Sequence, residues 1–270
     1  MRYNELNEHS AAKLLCVRRY TVKEKRISDI LDGISEFFKR DIFISVITLL
    51  AAIGILVSSI FVGENIFTTL PLYVSLIIGI FSSGANRYGS LIGSINCIFY
   101  TVVYIFFGLY AQALQALLIS CPIQMVTFLR WNKRAYKSST RFKSLKLWQI
   151  LAISAASVAA YVIIMLALKA TDASHPYIDN AITVISTVQT ILALLIYREY
   201  SWVALPTCIL LVVLDIIMIP GEPIRIAYLF YSAHALICAI KQFISVRRIC
   251  LEQGREADAV VIPDGDATQI

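Results

Sequence analysis

Residues 130–168 read RWNKRAYKSSTRFKSLKLWQILAISAASVAAYVIIMLAL, and the class of fold follows from them. The first half holds seven Lys and Arg and no acid, whereas no residue from Leu147 to Leu168 carries a formal charge. A bilayer core is about 30 Å thick and a helix rises about 1.5 Å per residue, so about 20 apolar residues cross it. Within lipid the backbone must satisfy its own hydrogen bonds, as a helix does. A basic flank without acids marks the cytoplasmic side of such a segment. One stretch thus predicts both a spanning helix and its orientation.

Outward from it, the same test selects seven more segments: 41–62, 66–83, 88–107, 112–130, 179–197, 202–220 and 223–245. Composition agrees, at 58% hydrophobic and 16% charged with a mean hydropathy of +0.72. A soluble domain keeps about a quarter of its residues charged. Too little charge is present for a water-facing surface, which excludes an ordinary soluble enzyme, a disordered chain and a nucleic-acid module. The expectation is an all-α polytopic membrane protein with eight transmembrane helices, its first partner being the lipid bilayer. Residues 1–40 are read as a cytoplasmic segment with an interfacial helix near 28–40, where Ile30, Leu31, Ile34, Phe37 and Phe38 recur at helical spacing. Residues 41–246 form the transmembrane domain and 247–270 a cytoplasmic tail. The start of the chain is too polar for a signal peptide, so the first apolar segment is read as a retained anchor.

The net charge is +6. Of the 24 Lys and Arg, nine fall in 1–40 and seven in 130–146. Arg87 and Arg198 mark short turns, and Lys241, Arg247, Arg248 and Arg255 mark the end. With both termini in the cytoplasm, only Lys169 and Arg225 remain outside. The excess is therefore a topology signal first and an anionic-lipid or nucleotide contact second. The six cysteines form no CxxC pair and four lie in apolar stretches, so no disulfide framework or metal site is expected.

Residues 66–131 and 179–246 overlay without gaps at an offset of 112, placing Tyr88 over Tyr200, Ser120 over Ser232 and Trp131 over Phe243. A shift of four spans leaves both triplets facing the same way. They are read as parallel repeats, with 147–168 as the inverting linker, an architecture of transporters.

Polar side chains inside lipid are expensive and mark candidate sites. Asn96, Gln124, Gln189 and His234 come from four spans at overlapping depths; Gln115 and Asp215 lie nearer the outer face. Their neutral donors and acceptors suit an uncharged or singly charged ligand bearing hydroxyls and amides; helix-to-helix hydrogen bonding is the plainer reading for each one. Tyr100, Tyr231 and Trp131 offer aromatic faces for a flat, even cationic, ring, although Trp131 also fits an interfacial anchor. Pro71, Pro122 and Pro206 fall inside spans as hinges or passive bends. No Gly-rich nucleotide loop, HExxH, GxSxG or carboxylate pair occurs, so no catalytic residue, cofactor or ATP hydrolysis is expected.

The stretch 87–131, RYGSLIGSINCIFYTVVYIFFGLYAQALQALLISCPIQMVTFLRW, resembles the PnuC-type vitamin transporters, the nicotinamide riboside transporter family. The resemblance lies in Gly89 and Gly93, Asn96, the GLYA turn at 108–111, Pro122 with Gln124, and Trp131. In the second triplet, Asp179, Val184 and Ser186 resemble a D-x4-V-x-S spacing, followed by Tyr197, Glu199 and Trp202. The likeness implies a 3+1+3 core related to SWEET sugar transporters with one added helix, a homotrimer in the bacterial inner membrane, and facilitated diffusion of a vitamin or nucleoside that a cytoplasmic kinase then traps. Leu205 and Ile209 stand where the family shows a second Trp and an Asn, which is read as a loss of ligand groups and widens the class to thiamine, riboflavin or deoxynucleosides. Proton coupling through Asp215 and His234 is the runner-up mechanism. A non-transporting membrane sensor or enzyme is the competing class.

Overall fold

The computed structural model describes residues 42–63, 66–168 and 175–261. The predicted interfacial helix near 28–40, Lys169 and the last nine residues lie outside them. Packing divides the chain into Met1–Val46, whose described part is the first turn of one helix, and Ile47–Ile270, which holds the features that follow.

The helices are α1 Ile42–Val62, α2 Ile66–Ser83, α3 Tyr88–Phe106, α4 Tyr110–Lys133, α5 Leu147–Leu168, α6 Pro176–Leu194, α7 Tyr200–Met218 and α8 Arg225–Val261. Seven of them are long and apolar enough to cross a bilayer, while the apolar run Thr68–Ser83 of α2 is shorter. Large apolar side chains point outward, among them Phe61, Phe106, Leu147, Val158 and Ile163. Asn96, Gln112, Thr127 and Asn180 are buried. This inversion of the soluble pattern suits a lipid surround: outer side chains solvate in hydrocarbon, and polar ones must find partners inside.

Helices α2, α3 and α4 pack in sequence, as do α6, α7 and α8. The third helix of each set lies on the first of the other, α4 on α6 and α8 on α2, so the six close a ring. Helix α5 packs on α6. Helices α3 and α7 begin and end 112 residues apart, at the predicted offset.

Three turns use one geometry. Ala85, Gly108 and Ile196 take positive φ, and the next residue's N–H reaches five residues back: Asn86 to Phe81, Leu109 to Tyr104 and Tyr197 to Leu192. This is a Schellman stop. Glycine adopts it freely, whereas a β-branched residue such as Ile196 does so only under strain.

Several predicted boundaries move. The span expected at 179–197 begins at Pro176, because proline lacks the N–H that a first turn leaves unused, and ends before Ile196. The last helix does not stop at 245 but continues to Val261, into the expected tail. Its extension has a partner. Of the predicted loop 130–146, residues up to Lys133 continue α4 and the next form a hairpin, Ala135–Tyr136 against Ser139–Thr140, with Lys137 at φ +51° in the turn. Lys137 Nζ meets Glu252 of α8 at 2.8 Å. Beyond the hairpin, Lys143 N–H donates to the Ile196 carbonyl and Arg198 N–H to the Lys143 carbonyl, both at 2.9 Å. The basic loop is thus an ordered strap.

Candidate substrate cavity

A cavity of about 340 Å³ lies inside the ring, lined by all six of its helices. That volume is in the usual range for a small-molecule site. No lining residue carries a formal charge. Its wall includes Ser75, Asn96, Tyr100, Tyr104, Gln124 and Tyr231, and Trp131, Tyr200 and Gln242 stand toward the basic-loop end.

Asn96 is buried on α3; its Nδ2 donates to Ser75 Oγ at 2.7 Å and to the Pro71 carbonyl at 3.2 Å. Its Oδ1 is buried without a partner. Ser75 Oγ donates in turn to Tyr100 Oη at 2.9 Å. The Tyr100 ring stacks on Tyr104, with centroids 5.3 Å apart, and tilts against Tyr231 at 6.3 Å. Gln124 Nε2 contacts Cys97 Sγ at 3.4 Å. Its Oε1 occupies the space a side chain at Gly93 would need, so Gly93 admits Gln124 to the wall. Gln189 is half-buried and also lines the cavity.

Gln115 and Ser120 bound a π-helical turn, and Gln115 Nε2 donates to Ser120 Oγ at 2.6 Å across it. Widening to an i→i+5 pattern aligns residues five apart. Pro122, just beyond, has no N–H for an i−4 bond and crowds that carbonyl, which favours the wider turn. Pro71 and Pro206 lie inside α2 and α7.

Two predicted site residues fall elsewhere. His234 is absent from the cavity wall: Nε2 bonds Thr48 Oγ1 at 2.9 Å, and its ring packs where a Cβ on Gly79 would intrude. Asp215 is likewise off the cavity, accepting from Ser232 Oγ at 2.5 Å and Arg225 Nη1 at 3.3 Å. Arg225, one of the two basic residues expected on the outer side of the membrane, is buried. Its Nε bonds Glu222 at 3.1 Å and its guanidinium lies 4.0 Å from the Phe107 ring centroid. Leu205 and Ile209 do not line the cavity either, and Ile209 is about half exposed. Their departure from the family pattern leaves the wall untouched.

Sequence reasoning missed Gln112, which is buried in the wall. It stood at the edge of a predicted span and read as a boundary residue. The signal lay in Asp179, whose carboxylate accepts the N–H groups of Ala111 and Gln112 at 3.2 and 3.3 Å. An acid over the start of a helix satisfies its open N–H groups, so it fixes α6 to the first turn of α4.

A sequence profile described as "Nicotinamide mononucleotide transporter" matches residues 65–243, which include the whole of α2 to α7 and the first part of α8. The chain belongs to this family. This PnuC-type family member is therefore a multi-pass membrane transporter and not an enzyme. No curated protein matches it. A crystal structure of the vitamin B3 transporter PnuC is 21% identical and covers 80% of this chain and 98% of its own, with a TM-score of 0.67. At that identity the likeness speaks for the fold.

Proposed function

We propose that this protein is a facilitative carrier for a nucleoside-like vitamin of the vitamin B3 type, with a nicotinamide nucleoside as its first candidate. The observation that carries this reading is an uncharged cavity with a buried orphan acceptor, Asn96 Oδ1. A ligand bearing amide or hydroxyl donors can partner it. The faces of Tyr100, Tyr104 and Tyr231 suit a pyridinium ring, because an aromatic face attracts a cation. Both termini are assigned to the cytoplasm, with eight spans arranged as one added helix and two triplets about α5. The homotrimer, the inner-membrane site and the trapping kinase belong to the same proposal; the closed ring and the 112-residue offset support its two-triplet part.

Facilitated diffusion is preferred to proton coupling. Asp215 is held by Arg225 and Ser232 away from the cavity, and His234 also lies outside it. The test is uptake of radiolabelled nicotinamide riboside into proteoliposomes, beside thiamine, riboflavin and deoxynucleosides. Uptake is expected to follow the substrate gradient and to be indifferent to an imposed proton gradient. If none of these compounds enters above protein-free vesicles, the reading fails.

Replacing Asn96 with Leu is expected to weaken binding between about tenfold and 100-fold, since the ligand group meeting Oδ1 loses its partner at about 1–3 kcal/mol. Gln112→Leu should act similarly. Ligand-induced thermal shifts measure both, and affinities within twofold of the parent would remove these residues from the site. Pro122→Ala restores an N–H that favours an ordinary turn over the π turn. Uptake is expected to fall about tenfold, near 1.4 kcal/mol, with stability unchanged or raised; unaltered uptake would leave the turn without a role in transport.

A further inference from the structure

At the basic-loop end, the cavity wall includes Trp131 of α4 and Tyr200 of α7, both buried. These residues belong to opposite triplets, and the indole N–H of Trp131 crosses to the Ala193 carbonyl of α6 at 2.8 Å. A third ring comes from outside the helices. Phe142 of the strap lies edge-on to Trp131 at 5.6 Å and stacked on Tyr200 at 5.9 Å. With Trp131 and Tyr200 themselves 5.8 Å apart, the rings form a triangle, packed with Ala85, Ile196 and Val246 at this end of the helices.

Phe142 has no helix of its own to hold it. Gln253, on the extension of α8, grips its backbone instead: Phe142 N–H donates to Gln253 Oε1 at 3.2 Å, and Gln253 Nε2 donates to the Thr140 carbonyl at 2.9 Å. One primary amide thus clamps both ends of the segment 140–142, which requires a side chain that both donates and accepts. Glu252 adds its pairing with Lys137 one residue earlier. Glu252 and Gln253 lie beyond residues 65–243, the part of the chain matched to the family.

We propose that Phe142 is the plug of a gate at the basic-loop end of the cavity, and that the Gln253 amide is the latch that holds it shut. Helix α8 lines the cavity through Tyr231 and Gln242 and carries the latch further along, so a displacement of α8 at the ligand moves the latch. The inference rests on the carrier reading above. It is tested without substrate, so the two can fail separately.

Cys208 lines the cavity and serves as a reporter. In a chain that keeps Cys208 as its only thiol, a membrane-impermeant thiosulfonate is applied from the basic-loop face and the labelling rate is measured. Gln253→Leu and Phe142→Ala are each expected to speed labelling about tenfold. The double variant should go no faster than the quicker single one, because the latch acts through the plug. Gln253→Glu, which keeps the acceptor and loses the donor, should fall between parent and Gln253→Leu, and it carries the test if Gln253→Leu is unstable. Parent-like labelling in a folded Gln253 variant overturns the latch, and so does additivity in the double variant. If uptake of every vitamin fails while these rates shift as stated, the gate stands and the substrate reading falls.

Discussion

An Arg225→Leu variant is expected to lose about 3–5 kcal/mol of stability, which at this chain length lowers the melting temperature in detergent by about 10 °C. Arg225 and Asp215 keep only 2% and 5% of their side chains exposed. Removing the guanidinium leaves the Asp215 carboxylate in an apolar interior with Ser232 as its remaining hydrogen-bond partner among the described residues. Isolated buried charge is far more costly than a buried pair, because the desolvation penalty remains after the attraction is lost. The ring contacts with Phe107 and Tyr228 go as well. Taking the second charge away should therefore help: Arg225→Leu combined with Asp215→Leu is expected to recover most of the loss. A single variant that melts within about 2 °C of the parent, or a double variant worse than the single, would show that the pair does not hold the α7–α8 turn.

The same pair shows where sequence reading reaches its limit. A run of apolar residues is a local property, so 147–168 announced a helix from a few dozen residues. The 112-residue register was equally open to inspection, because helices α3 and α7 obey it at both ends. Partnership is not local. Asp215 and His234 earned attention as polar residues in lipid, and both are polar because they satisfy a neighbour: Arg225 for one, Thr48 for the other. Gln112 and Gln124 looked no different in sequence, yet they face the cavity. Which way a helix turns its polar stripe is set by the helices around it, and burial on all sides removes the amphipathic signal that would reveal it. The extension of α8 was hidden for another reason. Arg247, Arg248, Glu252 and Gln253 read as a solvated tail because charge ends a span, but charge does not end a helix.

Discrimination against phosphate is the second large effect expected, and it bears on the difference between a nucleoside and its 5′-phosphate. A phosphomonoester brings about −1.5 to −2 charges at neutral pH. Proteins that hold such a group use Arg, Lys or a helix start, and without one the ion must shed water for no return. The cavity wall supplies neutral amides, hydroxyls and aromatic rings and no cation. Desolvation of an uncompensated ion costs several kcal/mol even after relaxation, so nicotinamide mononucleotide should bind at least about 100-fold more weakly than nicotinamide riboside, near 2.7 kcal/mol. Thermal shift or competition for riboside uptake reads the ratio. Adding the missing charge should narrow it. Gln189 lines the wall and is half-buried, and Gln189→Arg is expected to favour the phosphorylated ligand by at least about tenfold relative to the parent ratio. The Arg also weakens a cationic pyridinium, so both arms move together. Equal affinity of the parent for the two ligands would mean that phosphate is met by groups outside this cavity, and the assignment of the cavity as the substrate site would then be wrong.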